Sequence, residues 1–318
     1  MREMRKMRIV AVLLVAGISS MVIFTTGCVQ DQQSDVGMAV EFNDHAAGAY
    51  VAKEKGWYKE EGINFTAYES YATGIRLASV LARGDIQVAY ICLSPVILAY
   101  SRGVPIKIVA GTHKYGYGLV VSPDITNVSD LEGKTIGCAR EGAPADLLLN
   151  RMIEEYNLKD VNIRRMNPLK QVVALETGRI DAAFIPEHHA TVAESMGFHM
   201  LIKSQGLWRD MQGSVLVVKT DLIENDPEAV RKLVKVTQKA TNWVNENPER
   251  TAIILANVLD TKPEVINKSM SRLNYTTDID AESVQETIDY MAKLGYIEKG
   301  LKAEDILDTR FLQDGKKI

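Results

Sequence analysis

Two stretches of the chain follow one pattern, and together they decide the fold. Residues 82–95 read ARGDIQVAYICLSP, and residues 176–189 read ETGRIDAAFIPEHH. Each contains a glycine, Gly84 or Gly178, followed by an isoleucine, a β-rich apolar run and a polar turn. A glycine that ends a helix and an apolar run that forms a strand would explain this order. We therefore interpret the two stretches as an internal repeat.

The residues before each copy predict a helix. Residues 73–84 read TGIRLASVLARG and residues 167–178 read NPLKQVVALETG, and both place apolar residues at helical spacing before the glycine. Further strands and helices alternate around both copies, and from residue 226 onward the pattern is helical. Apolar strands that alternate with helices predict an α/β fold whose sheets are covered on both faces.

If each copy belongs to its own sheet, the chain folds into two lobes. Ligands of open α/β sheets bind outside the carboxyl ends of the strands. The turns after the repeated strands, residues 93–95 and 186–189, would then enter one shared cleft. The repeat is thus interpreted as two lobes that contribute equivalent loops to a single ligand site.

The N-terminus has the composition of an export signal. Residues 1–8 carry four basic residues and one acid, and residues 9–24 are largely apolar. We expect residues 1–27 to be a signal peptide, and the alternative is a retained transmembrane anchor. Cys28 follows a glycine, as in a lipidation site, and residues 28–37 would be the lipidated tether. This leader predicts a protein held at the outer face of the cytoplasmic membrane, in the periplasm or on the cell surface.

The composition argues against nucleic acid as a partner. The chain has 37 basic and 41 acidic residues, and removal of residues 1–27 leaves 33 and 40, a formal charge of −7. Cys92 and Cys138 lie in or beside apolar segments, so we interpret both as buried thiols. The sequence lacks the usual signatures of hydrolases, zinc proteases and P-loop enzymes. No catalytic residue, metal or cofactor is predicted.

Four segments resemble the substrate-binding proteins of ABC importers for nitrate, sulfonates and taurine, a group that shares its fold with thiamine-pyrimidine synthases. The segments are AAGAYVAKEKGWYKEEGINF (46–65), LARGDIQVAYICLSPVILAYSRGVPIKIVAG (81–111), VSDLEGKTIGCAREG (128–142) and ALETGRIDAAFIPEHHATVAESMG (174–197). The resemblance implies a periplasmic-binding-protein fold of type II, with two α/β lobes around a ligand cleft. It also implies a small-molecule ligand and two protein partners, an ABC permease and its ATPase.

The same resemblance implies a discontinuous first lobe. Residues 38–120 and 215–318 would form lobe 1, and residues 121–214 would form lobe 2, with crossings near Val121 and Ser214. A pair of connecting segments of this kind allows the lobes to close on a ligand by a hinge motion.

Candidates for ligand contact follow predicted strands or begin predicted helices. They are Asn43, Asp44, His45, Thr73, Gly74, Ser94, Thr112, His113, Arg140, Gly142, Ala143, Glu187 and His188. Helix N-termini favour anions, and Arg140 is the expected positive charge, unless it pairs with Glu141 or Asp146. Ser94 is expected to cap a helix whose first residue is Pro95, and capping alone would also explain Ser94 and Thr73.

Two other functions remain open on the sequence alone. One is an enzyme that resembles the thiamine-pyrimidine synthases, but those carry a cysteine-rich stretch that this chain lacks. The other is a sensor that binds a ligand and docks on a membrane receptor. The adjacent pair His188 and His189 does not share a helix face, so the pair is not interpreted as a metal site.

Overall fold

The computed structural model describes residues 33–313. The expected signal peptide, Cys28 and most of the expected tether lie outside these residues. The strands are β1 (Ser34–Glu41), β2 (Ile63–Tyr71), β3 (Val88–Cys92), β4 (Ile106–Tyr115), β5 (Tyr117–Val121), β6 (Thr135–Cys138), β7 (Asn162–Arg165), β8 (Ala182–Pro186), β9 (His199–Lys203), β10 (Gln212–Lys219) and β11 (Leu273–Asn274).

Helices precede and follow most of these strands. They are α1 (Ala47–Glu54), α2 (Trp57–Glu60), α3 (Gly74–Arg83), α4 (Leu93–Ser101), α5 (Pro144–Glu155), α6 (Pro168–Glu176), α7 (Glu187–Ser195), α8 (Ser204–Leu207), α9 (Thr220–Asn225), α10 (Pro227–Glu246), α11 (Pro248–Leu259), α12 (Pro263–Met270), α13 (Ala281–Lys293), α14 (Ala303–Ile306) and α15 (Arg310–Gln313). Short 3₁₀ turns occupy Asp44–Ala46 and Val128–Leu131. The predicted α/β fold is confirmed.

The strands form two sheets with the same internal order. The first sheet runs β11-β4-β10-β3-β1-β2 and the second runs β7-β6-β8-β5-β9. In each sheet one strand, β1 or β6, pairs in parallel with both neighbours, and one of those neighbours, β3 or β8, also pairs with an antiparallel strand. The repeated sequence therefore supplies the same strand of each sheet.

Both repeated strands are buried along their whole length. All five residues of β3 and all five of β8 are buried, as the apolar pattern predicts. Gly84 and Gly178 follow the preceding helices, α3 and α6, with backbone φ angles of 87° and 63°. Glycine adopts this left-handed conformation without the steric cost that a side chain would add. Each glycine thus ends a helix and lets the chain turn into the strand.

The chain changes sheet twice. The first change is at Gly116, between β4 and β5, and the second lies between Lys203 at the end of β9 and Gln212 at the start of β10. Residues 117–120 therefore pair in the second sheet, although the expected boundary at 120 put them in lobe 1. Because β5 begins immediately after Gly116, the first crossing needs no loop. The division into lobes itself remains a proposal.

The C-terminal helices pack mainly around the first sheet. Helix α10 contacts α1, β2 and β4, and α13 contacts α4. Helix α12 instead contacts α7, which follows a strand of the second sheet. The C-terminal segment thus touches helices that belong to both sheets. Within residues 33–313, no helix combines the length and apolar character needed to cross a bilayer.

Gly111 in the middle of β4 lets the C-terminal segment approach the first sheet. Its backbone N–H donates to Thr277 O at 3.0 Å, and an added Cβ would overlap the carbonyl oxygen of Asp278. We expect Gly111→Ala to lower the free energy of unfolding by about 1–3 kcal/mol, because backbone must move to relieve the overlap.

Denaturant unfolding measures this effect, with Gly206→Ala as the control. A Cβ at Gly206 would meet no heavy atom within 4 Å, so this variant should unfold close to the wild type. Equal midpoints for the Gly111 and Gly206 variants would contradict the proposed backbone contact.

Candidate functional site

A cleft of about 450 Å³ is lined by residues from both sheets and their helices. Glu41 and Cys92 line it from the ends of β1 and β3, and Arg165 and Pro186 line it from the ends of β7 and β8. Since these are carboxyl ends of strands, the cleft has the position expected for a ligand site in open α/β sheets.

Five helices begin at this cleft. Its lining includes Thr73 and Gly74 at the start of α3, Cys92 and Pro95 at α4, Ala143 and Pro144 at α5, Asn167 and Pro168 at α6, and Pro186 before α7. Unpaired N–H groups and the helix dipole give each N-terminus a partial positive charge. Together they form an environment that favours a negatively charged group.

The helices differ in how their first N–H groups are satisfied. The Thr73 hydroxyl accepts from Arg76 N at 3.4 Å, and Asn167 Oδ1 accepts from Lys170 N at 2.9 Å. The residue before α5, Ala143, offers no side-chain acceptor. Pro144 has no N–H and Asp146 N already donates to Ala143 O at 2.9 Å, so Ala145 N–H is the donor that the first turn of α5 keeps for a ligand.

Two arginines of the second sheet differ in their pairing at the cleft: Arg165 ends β7, and Arg140 follows β6. Arg165 Nη1 lies 2.6 Å from the buried Asp146 Oδ1 and also donates to Ala139 O at 2.8 Å. Arg140 lines the same cleft, and its side chain forms no hydrogen bond or ion pair with the described residues. The alternative pairing of Arg140 with Asp146 is not formed, because Asp146 is occupied by Arg165. Arg140 is thus a positive charge available to a ligand.

A third arginine of the lining, Arg76, belongs to the first turn of α3. Its side chain is exposed, and its guanidinium carbon lies 5.7 Å from the centre of the Tyr71 ring. Contact with an aromatic ring leaves the charge of an arginine uncompensated. Arg76 therefore adds to the positive character of the cleft from the side of the first sheet.

Glu41 is a cleft residue that the sequence analysis missed. Its side chain is only 3% exposed, and its carboxylate accepts from Cys92 N at 2.9 Å and from Asn43 Nδ2 at 3.3 Å. Burial raises the pKa of Glu41 above its ordinary value. Its place in the sequence could have identified it, because Glu41 ends the strand that the candidate residues 43–45 follow.

Four histidines, His45, His113, His188 and His189, are buried and arranged as two close pairs, and we call them the histidine cluster. The rings of His45 and His113 are 4.3 Å apart, and those of His188 and His189 are 3.8 Å apart. His188 Nδ1 lies 3.9 Å from Asp44 Oδ1, which connects the second pair to the turn after β1.

Arg272 joins the C-terminal segment to α7. It follows α12, and its guanidinium contacts Glu187 Oε2 at 3.0 Å and Glu194 Oε2 at 2.8 Å. Glu187 is almost fully buried, so loss of Arg272 would leave a buried carboxylate without its charge partner. These ion pairs link α7 to the segment that follows α12.

The fold and the family follow from comparison with known proteins. Residues 43–251 match the family described as NMT1/THI5 like, which is more than half of the chain. The chain belongs to the NMT1/THI5-like family.

Named relatives of this NMT1/THI5-like chain are binding proteins. It is 25% identical over 278 residues to a provisionally named aliphatic sulfonates-binding protein of Bacillus subtilis (strain 168), covering 83% of both chains. It is 27% identical over 223 residues to the taurine-binding periplasmic protein of Escherichia coli (strain K12), covering 69% of both.

Solved structures agree on the fold. The periplasmic aliphatic sulphonate binding protein of Escherichia coli superposes with a TM-score of 0.75 at 18% identity, covering 86% of this chain and 97% of that one. The periplasmic nitrate-binding protein of Synechocystis PCC 6803 gives 0.81 at 15% identity, covering 90% and 89%. The NMT1/THI5-like chain therefore has the periplasmic-binding-protein fold.

The structure divides the candidate residues of this family member into two groups. Those that line the cleft are Asn43, Thr73, Gly74, Arg140 and Ala143. Those outside the lining are Asp44, His45, Ser94, Thr112, His113, Gly142, Glu187 and His188. Except for Gly142, each member of the second group has a buried side chain. Most of the polar residues chosen after the strands are thus buried and do not line the cleft.

Two details of the sequence analysis are corrected. Ser94 is the second residue of α4, which begins at Leu93, so it does not cap the helix. The reason is that β3 passes into α4 without an intervening turn. Thr112 and His113 were expected to follow a strand, but they lie inside β4, which continues to Tyr115.

Burial controls the charges of the histidine cluster. Desolvation lowers the pKa of His189 to about 3 and that of His45 to about 4, and it lowers those of His113 and His188 well below the ordinary value. Burial also raises the pKa of Asp44 to about 7, where a Ser269 hydrogen bond opposes the shift. The cluster is therefore neutral at pH 7.

His189 should make the protein sensitive to acid. An unfolded histidine titrates near pH 6.5, so below that value the unfolded chain binds a proton that the folded chain excludes until about pH 3. The stability associated with neutral His189 is present above pH 6.5 and is lost as the pH falls. We expect the stability of the wild type, relative to His189→Gln, to fall by about 1.4 kcal/mol per pH unit between about pH 6 and about pH 4.

Chemical denaturation of both proteins across this range measures the difference. Parallel profiles of stability against pH for the wild type and His189→Gln would contradict the account. They would show that His189 has the same pKa in the folded and the unfolded chain.

Proposed function

We propose that this chain is the extracytoplasmic substrate-binding component of an ABC importer and that it captures a small organic anion between two lobes. The observation that carries the proposal is the meeting of five helix N-termini and Arg140 at one cleft. Their N–H groups and dipoles favour an oxyanion such as a sulfonate. The names of the sulfonate-binding and taurine-binding relatives support the same ligand class.

The rest of the lining favours a ligand with an organic body. Ile75, Pro95, Met166, Pro168 and Pro186 present apolar surface beside the helix N-termini. Such surface gains by contact with a hydrocarbon group and gains nothing from a bare inorganic ion.

The proposed contacts follow from the position of each group. Arg140 would pair with the anionic group, and N–H groups at the starts of α3 and α5 would donate to it. Asn43 and Glu41 lie at the end of β1 and would face polar groups on the ligand. Ala143 offers no hydroxyl, so the donor at the start of α5 would be the main-chain N–H of Ala145.

The proposal includes an anchor and protein partners. Residues 1–27 would direct export, Cys28 would carry the lipid, and residues up to 37 would be the tether. The two lobes would meet at the two changes of sheet, at Gly116 and between Lys203 and Gln212. A tether keeps the protein close to its permease and ATPase and raises their effective concentration. The proposal assigns transport without catalysis, in keeping with relatives named as binding proteins.

Ligand binding can be tested with the purified protein by thermal shift and calorimetry. We expect ethanesulfonate, taurine or a longer alkanesulfonate to raise the melting temperature by mass action. Arg140→Ala should weaken that ligand at least tenfold, about 1.4 kcal/mol or more, because it removes a charged hydrogen-bond donor. Arg179→Ala, an exposed arginine outside the cleft lining, is the control and should bind normally.

Two results would contradict the proposal. One is the absence of a shift with any anion of the series, and the other is equal affinity of Arg140→Ala and the wild type. Uptake of the bound ligand by cells that lack this chain separates import from sensing. Such cells should lose uptake if the chain is an import component, and a sensor would not be needed for uptake.

A further inference from the structure

Glu41, His45 and Cys92 bring three different metal-binding groups together at the wall of the cleft, and we call them the Glu41–His45–Cys92 corner. One carboxylate oxygen, one imidazole nitrogen and the thiol sulfur all lie within 4.8 Å of one another. All three residues are buried, and Glu41 and Cys92 also line the cleft. A group of this composition is the donor set that a divalent transition metal uses.

Regular structure holds the corner in place. Glu41 ends β1, Cys92 ends β3, and the two strands pair in parallel, so their carboxyl ends meet at one edge of the sheet. His45 lies in the 3₁₀ turn that directly follows β1, where Asn43 Oδ1 accepts from its backbone N–H at 3.1 Å. The three donors are therefore positioned by the sheet and by a capped turn.

The hydrogen bonding of His45 leaves one ring nitrogen free for a metal. His45 Nε2 lies 2.8 Å from Gly116 O, and a carbonyl only accepts, so Nε2 carries the proton. Nδ1 then has a lone pair, and it is buried without a hydrogen-bond partner among the described residues. Metal-binding histidines have the same arrangement, in which one nitrogen donates to a carbonyl and the other binds the ion.

Without a cation, burial and the nearby Glu41 carboxylate raise the pKa of Cys92 and keep it a thiol, so only a bound metal ion would make it a thiolate. The Cys92 sulfur lies 2.9 Å from Glu41 Oε2 and 2.9 Å from the Tyr117 hydroxyl. The hydroxyl can donate to a thiolate, and helix α4 begins at the next residue, so its dipole favours negative charge at Cys92.

A cation would also explain a buried carboxylate at this place. Among the described residues, the hydrogen-bond partners of the Glu41 carboxylate are Cys92 and Asn43, and both are neutral. Burial of an ionised carboxylate without a positive partner is unfavourable, whereas an ion of charge +2 would balance Glu41 and a Cys92 thiolate together.

We propose that Glu41, His45 and Cys92 bind one divalent transition-metal ion, for which Zn²⁺ is the best match, with a fourth coordination position open to the cleft. Zn²⁺ accepts oxygen, nitrogen and sulfur donors in a tetrahedral arrangement, and three protein ligands leave one position for a small molecule. When the ion binds, a metal–sulfur bond forms, the S–H bond breaks, and the proton passes to solvent.

The proposal goes beyond ligand capture by helix N-termini. An anionic group in the cleft could complete the coordination of the metal, so that metal and organic anion would bind together. The sequence analysis predicts no metal, because the three residues lie at positions 41, 45 and 92 and form no recognised spacing. Pairing of β1 with β3 brings them together.

The test is a titration of the purified, chelator-treated protein with Co²⁺ and then Zn²⁺, in the absence of any organic ligand. We expect one equivalent of Co²⁺ to produce a near-ultraviolet thiolate-to-cobalt band, which Zn²⁺ then removes. Cys92→Ser should lose the band, and His45→Gln should bind at least tenfold more weakly. Cys138→Ser, which removes the other buried free thiol, is the matched control and should keep the band.

The wild-type titration alone can overturn the proposal, so the outcome does not depend on whether the variants fold. Absence of stoichiometric binding or of the thiolate band would overturn it. A band retained in Cys92→Ser would also overturn it, because the metal would then lie elsewhere. Thermal shifts with alkanesulfonate in the presence of chelator test the transport proposal separately.

Discussion

The structure depends on one constraint, which is that parallel strands deliver their carboxyl ends, and the helices that follow them, to one edge of a sheet. Both sheets repeat the same strand order, so each directs a set of helix N-termini to its own edge. The two edges share a cleft. A positive environment thus arises from main-chain N–H groups and dipoles, together with Arg140, a lining side chain whose charge the described residues leave unpaired.

Much of the fold could be predicted because its signals are local. The glycines after α3 and α6, the apolar strands and the start of α5 at Pro144 are all visible in short windows of sequence. The repeat also predicted correctly that both copies reach one cleft, since Pro95 and Pro186 line it.

The individual site residues were harder to predict because they depend on packing. Ser94 was expected in a turn, but β3 runs directly into α4 and buries it. Glu187 has the expected place in the chain, yet its carboxylate is used by Arg272, more than 80 residues further on. Glu41 was missed because its importance appears only when β1 pairs with β3. Arg272 pairs with Glu187 and Glu194 outside the cleft lining, while Glu41 places a carboxylate on the wall of the cleft.

The most direct test of the account is a structure of the complex with an alkanesulfonate. The account predicts sulfonate oxygens within hydrogen-bonding distance of Arg140 and of main-chain N–H groups at the starts of helices from both sheets. A sulfonate bound outside the cleft, or one held by residues of a single sheet, would contradict it.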